Sequence, residues 1–212
     1  KLDQHITTIY KATNDMETDI ADIAHEGKYD LVLVGLGKSI FEGTILGKVL
    51  GFTSRIINPD RLLDKFTGKE GLFENSPFDE RTRLIISKTK TPLGILIDKD
   101  LQQVDKVFVG IYSVGDVFLI DYAQKLMQNN NAQVTILDNN DHTKNNFLIQ
   151  NSLEALEQKH GDKFDVFQPK QINKPFLAEQ DLVIFSLETW KKLVDDEVSW
   201  LTDIPSVLIV KP

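Results

Sequence analysis

Short runs of β-branched and aliphatic residues recur along the chain, separated by stretches whose apolar residues return every three or four positions. That alternation is the pattern of βαβ units, and it constrains the chain to a parallel sheet with helices packed on it. Runs such as Leu31-Val32-Leu33-Val34 and Val107-Phe108-Val109 are apolar at every position, as strands are when helices cover both sheet faces.

From the N-terminus, residues 6–12 are expected as a strand. Asn14 or Asp15 then caps a helix with Met16, Ile20, Ile23 and Ala24 on one face, and Gly27 ends it. Strand 31–34, a polar and glycine-rich stretch from residue 35 to 77, helix 79–87 and strand 93–97 complete the first half. Residues 99–105 are charged and without periodicity, which predicts a linker and divides the chain into units 1–100 and 101–212. The second half predicts strands 107–111, 133–137, 165–167, 182–185 and 207–210. Between them fall helices 117–129, 147–160, 175–179 and 195–201, with Gly161 stopping the second and an acidic start to the last. Right-handed crossovers between parallel strands lead to a doubly wound sheet.

The halves also rhyme. Tyr29-Asp30-Leu31-Val32-Leu33-Val34-Gly35 matches Gln180-Asp181-Leu182-Val183-Ile184-Phe185-Ser186. Thr91-Pro92-Leu93-Gly94-Ile95-Leu96-Ile97 matches Ile204-Pro205-Ser206-Val207-Leu208-Ile209-Val210, in the same order. Two matched pairs in one order predict an internal repeat. If residues 6–12, 31–34 and 93–97 are its third, fourth and fifth strands, the first copy is incomplete and the second complete.

Composition excludes several functions. With no cysteine there is no disulfide framework or thiolate metal site, and a reducing compartment fits. A net charge of −8 argues against sequence-independent nucleic-acid binding and against docking on anionic lipid. The apolar runs fall well short of the roughly 20 residues that span a bilayer. The opening Lys-Leu-Asp-Gln enters almost directly into a strand-like pattern, as in a soluble, intracellular piece of something longer.

A strand ending in Gly, a glycine-rich loop, a helix and a Pro-led strand resemble the second half of a universal stress protein domain. Those domains bind adenine nucleotides through Gly-x-x-Gly, nine residues, then Gly-Ser/Thr. Here Gly37 and Gly47 keep the nine-residue gap, but the first glycine, Gly35, is offset and Lys48 stands where Ser or Thr is expected. A narrower resemblance covers residues 6–110: the run from Asp30 to Thr44 and the run Leu72-Phe-Glu-Asn-Ser-Pro-Phe-Asp-Glu-Arg-Thr82 are similar to cytoplasmic tails of bacterial cation/proton antiporters, relatives of the plant CHX-type exchangers. That resemblance implies two universal-stress-like repeats on the cytoplasmic side of the membrane. They would follow a transport domain in the same parent chain and work as a homodimer.

The ligand-binding candidates are Gly35, Gly37, Gly43 and Gly47 for close backbone approach, Lys38 and Lys48 for charge, and the Ser39 and Thr44 hydroxyls. Plain turn formation explains the same glycines, and no Walker loop is present. Any adenine nucleotide bound here is expected to bind weakly. In the second repeat, the stretch Ser186-Leu-Glu-Thr-Trp-Lys-Lys192 reads as a loop without glycine, and Tyr112-Ser113 stand where nucleotide-binding relatives place an Asp. A degenerate repeat is expected there.

The run Asp138-Asn-Asn-Asp-His142 reads as a solvated turn rather than a cation site. His5, His25 and His160 lie on different elements without ligand spacing, and Trp190 and Trp200 are expected to pack. No Ser/His/Asp, Cys/His or carboxylate pair can be assembled, so no enzyme and no metal are expected. The reading is the cytosolic regulatory domain of a monovalent cation/proton antiporter. The alternative is a free-standing tandem universal-stress-type nucleotide-binding protein, with a small nucleotide hydrolase as a third class.

Overall fold

The computed structural model describes residues 8–37, 50, 78, 80–138, 146–167, 172–196 and 198–212. The strands are β1 (Val32–Leu36), β2 (Leu93–Ile97), β3 (Lys106–Ile111), β4 (Gln133–Asp138), β5 (Phe164–Phe167), β6 (Leu182–Ser186) and β7 (Ser206–Lys211). The helices are α1 (Met16–Glu26), α2 (Glu80–Lys88), α3 (Leu119–Asn130), α4 (Phe147–His160), α5 (Lys174–Ala178) and α6 (Leu187–Asp195). Short 3₁₀ turns span Val114–Asp116 and Ser199–Asp203.

All seven strands join one sheet in the order β1-β2-β7-β6-β3-β4-β5. The last five form a complete doubly wound unit, in which β3 to β5 step one way and β6 to β7 the other. Every neighbouring pair is parallel except β2 and β7, which run antiparallel with Ile95 opposite Ile209. Among the described residues the first half contributes two strands, and its parallel pair meets the β6–β7 pair head to tail, as an approximate two-fold axis would arrange them. Carboxyl ends of β1 and β2 therefore lie at one rim of the sheet, and those of the other five strands at the opposite rim.

Alternate strand residues feed two cores, because successive side chains leave opposite faces. On one face Phe108, Val183, Phe185, Ile95 and Ile209 pack with Ile85 and Ile86 of α2, Leu177 of α5, and Leu187, Trp190 and Leu193 of α6. On the other, Val107, Val109, Ile111, Val134, Ile136 and Ile184 pack with α3 (Leu119, Ala123, Met127) and α4 (Ile149, Leu153, Leu156). Trp190 is fully buried beside Phe185, and Trp200 stacks on the same ring at 6.0 Å, so both tryptophans pack.

The expected strand over 6–12 is not formed where the chain is described. Residues 8–12 are irregular and exposed, with Tyr10 94% accessible, despite the β propensity of Thr8-Ile9-Tyr10. Propensity without a paired neighbour does not hold a strand, and β1 is left at the sheet edge. Asp15 does cap α1, accepting from Thr18 N at 3.1 Å. Its carboxylate also accepts from Lys88 Nζ at 3.1 Å, linking α1 to α2, and these hydrogen bonds, Thr18 first, hold the Asp15 pKa down at about 2. Gly27 ends the helix in a right-handed conformation and Lys28 takes the left-handed one (φ 49°); the half-exposed Tyr29 ring lies over Gly27, 2.2 Å from where a Cβ would stand.

The last expected helix is displaced. The acidic pair Asp195-Asp196 ends α6 rather than starting a helix, and residues 186–192, expected as a loop, form its cap and most of its length. Ser186 accepts from Thr189 N at 3.1 Å, and Leu187, Trp190 and Leu193 repeat at helical spacing into the core. The 99–105 stretch is irregular but pinned: Lys99 N donates to Ser206 Oγ at 2.8 Å, and Asp181 accepts from Asp105 N and Lys106 N, each at 2.9 Å.

Gly110 gives the fold a sharp test. A Cβ there would sit 2.3 Å from the ring of Phe185, which has no room to move in a close-packed core. Gly110→Val should destabilise the protein by about 2–3 kcal/mol in urea unfolding, whereas Gly35→Ala, where a Cβ touches nothing within 4 Å, should change it by under about 0.5. Equal effects from the two substitutions would contradict this packing.

Candidate functional site

Two places lie at carboxyl ends of parallel strands, where open α/β sheets bind ligands. At the first, Gly35 lies in β1 and Gly37 just beyond it, and both are exposed. Among the described residues neither is demanded by packing, since an added Cβ at either meets nothing within 4 Å. The remaining candidates, Lys38, Ser39, Gly43, Thr44, Gly47 and Lys48, lie outside the described residues. Lys99, at the carboxyl end of the neighbouring β2, donates its Nζ to the carbonyls of Leu50 at 2.7 Å and Ile204 at 3.0 Å.

The second place is the switch point of the complete unit, between β3 and β6. Their pairing stops at Val109↔Ile184, two residues short of the end of each strand, so the strand ends diverge. The side chain of Asp116, 1% exposed, fills the opening. Its Oδ2 accepts from Tyr112 N at 2.9 Å, Ser113 N at 2.8 Å, Ser113 Oγ at 3.2 Å and Thr189 Oγ1 at 2.9 Å. Its Oδ1 accepts from Ser186 Oγ. The loop after β3 and the cap of α6 thus converge on one carboxylate, at the positive end of a helix dipole.

None of those donors is a cation. Burying a carboxylate is costly unless hydrogen bonds replace its hydration, and bonds to a charged group contribute about 1.5–3 kcal/mol each, non-additively. Ser186 and Thr189 are themselves buried, at 4% and 3% exposure, so water does not compete for the same atoms. The Tyr112 ring packs edge-on to Phe185 at 6.2 Å, and burial, then the charge of Asp116, pushes its hydroxyl well above the ordinary tyrosine range.

Sequence reasoning looked for an acid at Tyr112-Ser113 and passed over Asp116. The signal was Ser113-x-x-Asp116 directly after an apolar strand, a spacing that lets a carboxylate reach back to the backbone N–H three residues earlier. Asp138, expected in a solvated turn, is instead the last residue of β4, buried opposite Ile111; the rest of that run lies outside the described residues. Glu188, in the stretch expected as a loop, is an exposed first-turn residue of α6 whose carboxylate accepts from Lys191 Nζ at 3.0 Å. His25 and His160 sit in the last turns of α1 and α4. Among the described residues no group of three or more metal-ligating side chains occurs, and no helix is long and apolar enough to cross a membrane.

No family model and no curated protein sequence matches the chain. Among solved structures it is similar to a universal stress protein from Archaeoglobus fulgidus DSM 4304, at 12% identity and a TM-score of 0.43, over 91% of this chain and 64% of that one. It is similar to a universal stress protein in complex with cAMP at 15% identity and a TM-score of 0.35, over 52% of this chain and 98% of that one. A third likeness, at 12% identity and a TM-score of 0.40, is to a functionally unknown protein from Pseudomonas aeruginosa PAO1, over 95% of this chain and 69% of that one. The chain thus spans less than two thirds of the Archaeoglobus protein. The α/β doubly wound fold rests on the strand order and directions given above.

The Tyr112 shift fixes a pH dependence. Folding raises this pKa, so the stabilisation it represents is complete below about pH 10, the ordinary tyrosine value, and is lost as pH rises toward the folded value. Alkaline unfolding should therefore be steeper for the unaltered protein than for Tyr112→Phe, and the Tyr112 tyrosinate absorbance should appear only with unfolding. Identical pH profiles for the two proteins would contradict the burial of this hydroxyl.

Proposed function

We propose that the chain is the cytosolic regulatory domain of a monovalent cation/proton antiporter, held at the cytoplasmic face of the membrane by the transport domain of its parent chain. The observation that carries this is the union of a half unit with a whole one in a single sheet, the half unit bearing the antiporter-like runs 30–44 and 72–82. Cation/proton exchange requires carboxylates inside the membrane, so the domain neither transports nor catalyses by itself. It acts on exchange by shifting the transport domain between states, through a ligand or contact that prefers one of them.

The ligand loop of this reading is 35–48, at the carboxyl end of β1, and its ligand is an adenine nucleotide held weakly, at about 0.1–1 mM. Lys48 in place of Ser or Thr, the offset Gly35, and a first unit with two described strands all subtract from a full nucleotide pocket. The partner in this reading, besides the membrane domain, is a second copy of the chain. β1 is a terminal strand with Leu33 59% exposed, and an unpaired strand edge is a template for another strand. Nucleic acid is no partner for a chain of charge −8.

A second reading, a free-standing tandem nucleotide-binding protein of the universal stress type, is favoured by the complete five-stranded doubly wound unit.

The parent antiporter in everted vesicles separates the two. Removing residues 1–212 should leave exchange running but displace its dependence on pH and cation, while calorimetry on the isolated chain shows weak ATP or AMP binding that Gly37→Val with Lys38→Ala abolishes. Light scattering on that chain should give twice the 24.1 kDa monomer mass. A parent frame without apolar spans, or exchange unchanged in every dependence by the deletion, would contradict the antiporter reading.

A further inference from the structure

The switch point of the second unit has the donors of an anion site and an anion already in it. Two backbone N–H groups (Tyr112, Ser113) and three hydroxyls (Ser113, Ser186, Thr189) converge from the β3 and β6 ends on a single point. The N-terminus of α6, nine residues long, adds its dipole. At that point lies the carboxylate of Asp116, a residue from the same loop, 1% exposed and, among the described residues, reached by no cationic donor.

We propose that Asp116 is a built-in ligand: its carboxylate occupies an anion cradle at the β3–β6 switch point, so the second unit is closed to external anions, and removing that side chain converts the cradle into a binding site for a small carboxylate. This goes beyond the regulatory reading and does not depend on it, since Gly35 and Gly37 lie at the opposite rim of the sheet.

In the native protein all five are satisfied by one carboxylate, and truncating it leaves the buried Ser186 and Thr189 hydroxyls and the half-buried donors of Tyr112 and Ser113 without that partner, the costly case. Water satisfies them incompletely, because a cluster of donors around a helix N-terminus favours a negative charge. A small anion with two oxygens on one carbon restores both the charge and the geometry. Ser186 ties the cradle to the fold, since its hydroxyl accepts from Thr189 N while donating to Asp116, so the occupant also orders the start of α6.

The test is anion rescue of the full chain carrying Asp116→Gly. This variant should melt at lower temperature than the unaltered protein. Sodium formate at about ten times its dissociation constant should then raise the Tm by roughly 3–5 °C in a saturable way. Sodium chloride at equal ionic strength should not, and formate should leave the unaltered protein unmoved. Asp116→Asn, whose amide fills the same volume, should be destabilised but not rescued. If the Gly variant is unfolded at room temperature, circular dichroism gives the same readout: folding in formate but not in chloride supports the proposal. Formate that stabilises all three proteins equally, or none of them, overturns it, as does a Gly variant unfolded in both salts.

Discussion

The antiparallel pairing of β2 with β7 is the interaction on which the rest of the molecule depends. Two parallel strands with two helices cannot by themselves bury a core or satisfy their edges, yet β2 is among the most buried strands here, with Leu93, Ile95 and Ile97 at 0–1% exposure. It reaches that burial by adding to the last strand of a complete five-stranded unit, five residues opposite five, from Leu93↔Lys211 to Ile97↔Val207. The join is reinforced off the sheet. Lys211 Nζ donates to the carbonyls of Ile86 at 2.7 Å and Thr89 at 3.2 Å, so the last strand of the second unit caps the C-terminus of the first unit's helix α2.

That geometry has a functional consequence. Because the two parallel blocks run in opposite directions, the carboxyl end of β1, with Gly35 and Gly37, and the switch point of the second unit lie at opposite rims. The two rims also differ in character. One presents exposed glycines at a strand end, and the other is sealed by a buried carboxylate with five bonded donors.

Much of this was legible in the chain's periodicity. The fully apolar runs at 107–111 and 182–185 announce buried parallel strands, and Phe147–His160 is bounded by Asn146 and Gly161 as a helix should be. Two kinds of information were not local. Residues 8–12 have strand propensity but no partner, and pairing is decided by the sheet rather than by the segment. The Asp116 cradle joins residues 70 and more positions apart, so Ser186 and Thr189 looked like loop polarity when they are the cap of α6 and donors to a distant acid. The acidic Asp195-Asp196 misled in the opposite direction: a helix-start composition sits at a helix end, where the Trp190 and Leu193 packing outweighs an unfavourable dipole contact.

Native-state hydrogen exchange across the sheet measures the central claim, that the half unit is held as part of one cooperative sheet through β7. The hydrogen-bonded amides of β2 should exchange together with those of β7, β6 and β3, in the last group to open and with the free energy of global unfolding. Exchange of β1 and β2 through a separate opening of much lower free energy, with β3 to β7 still protected, would contradict it.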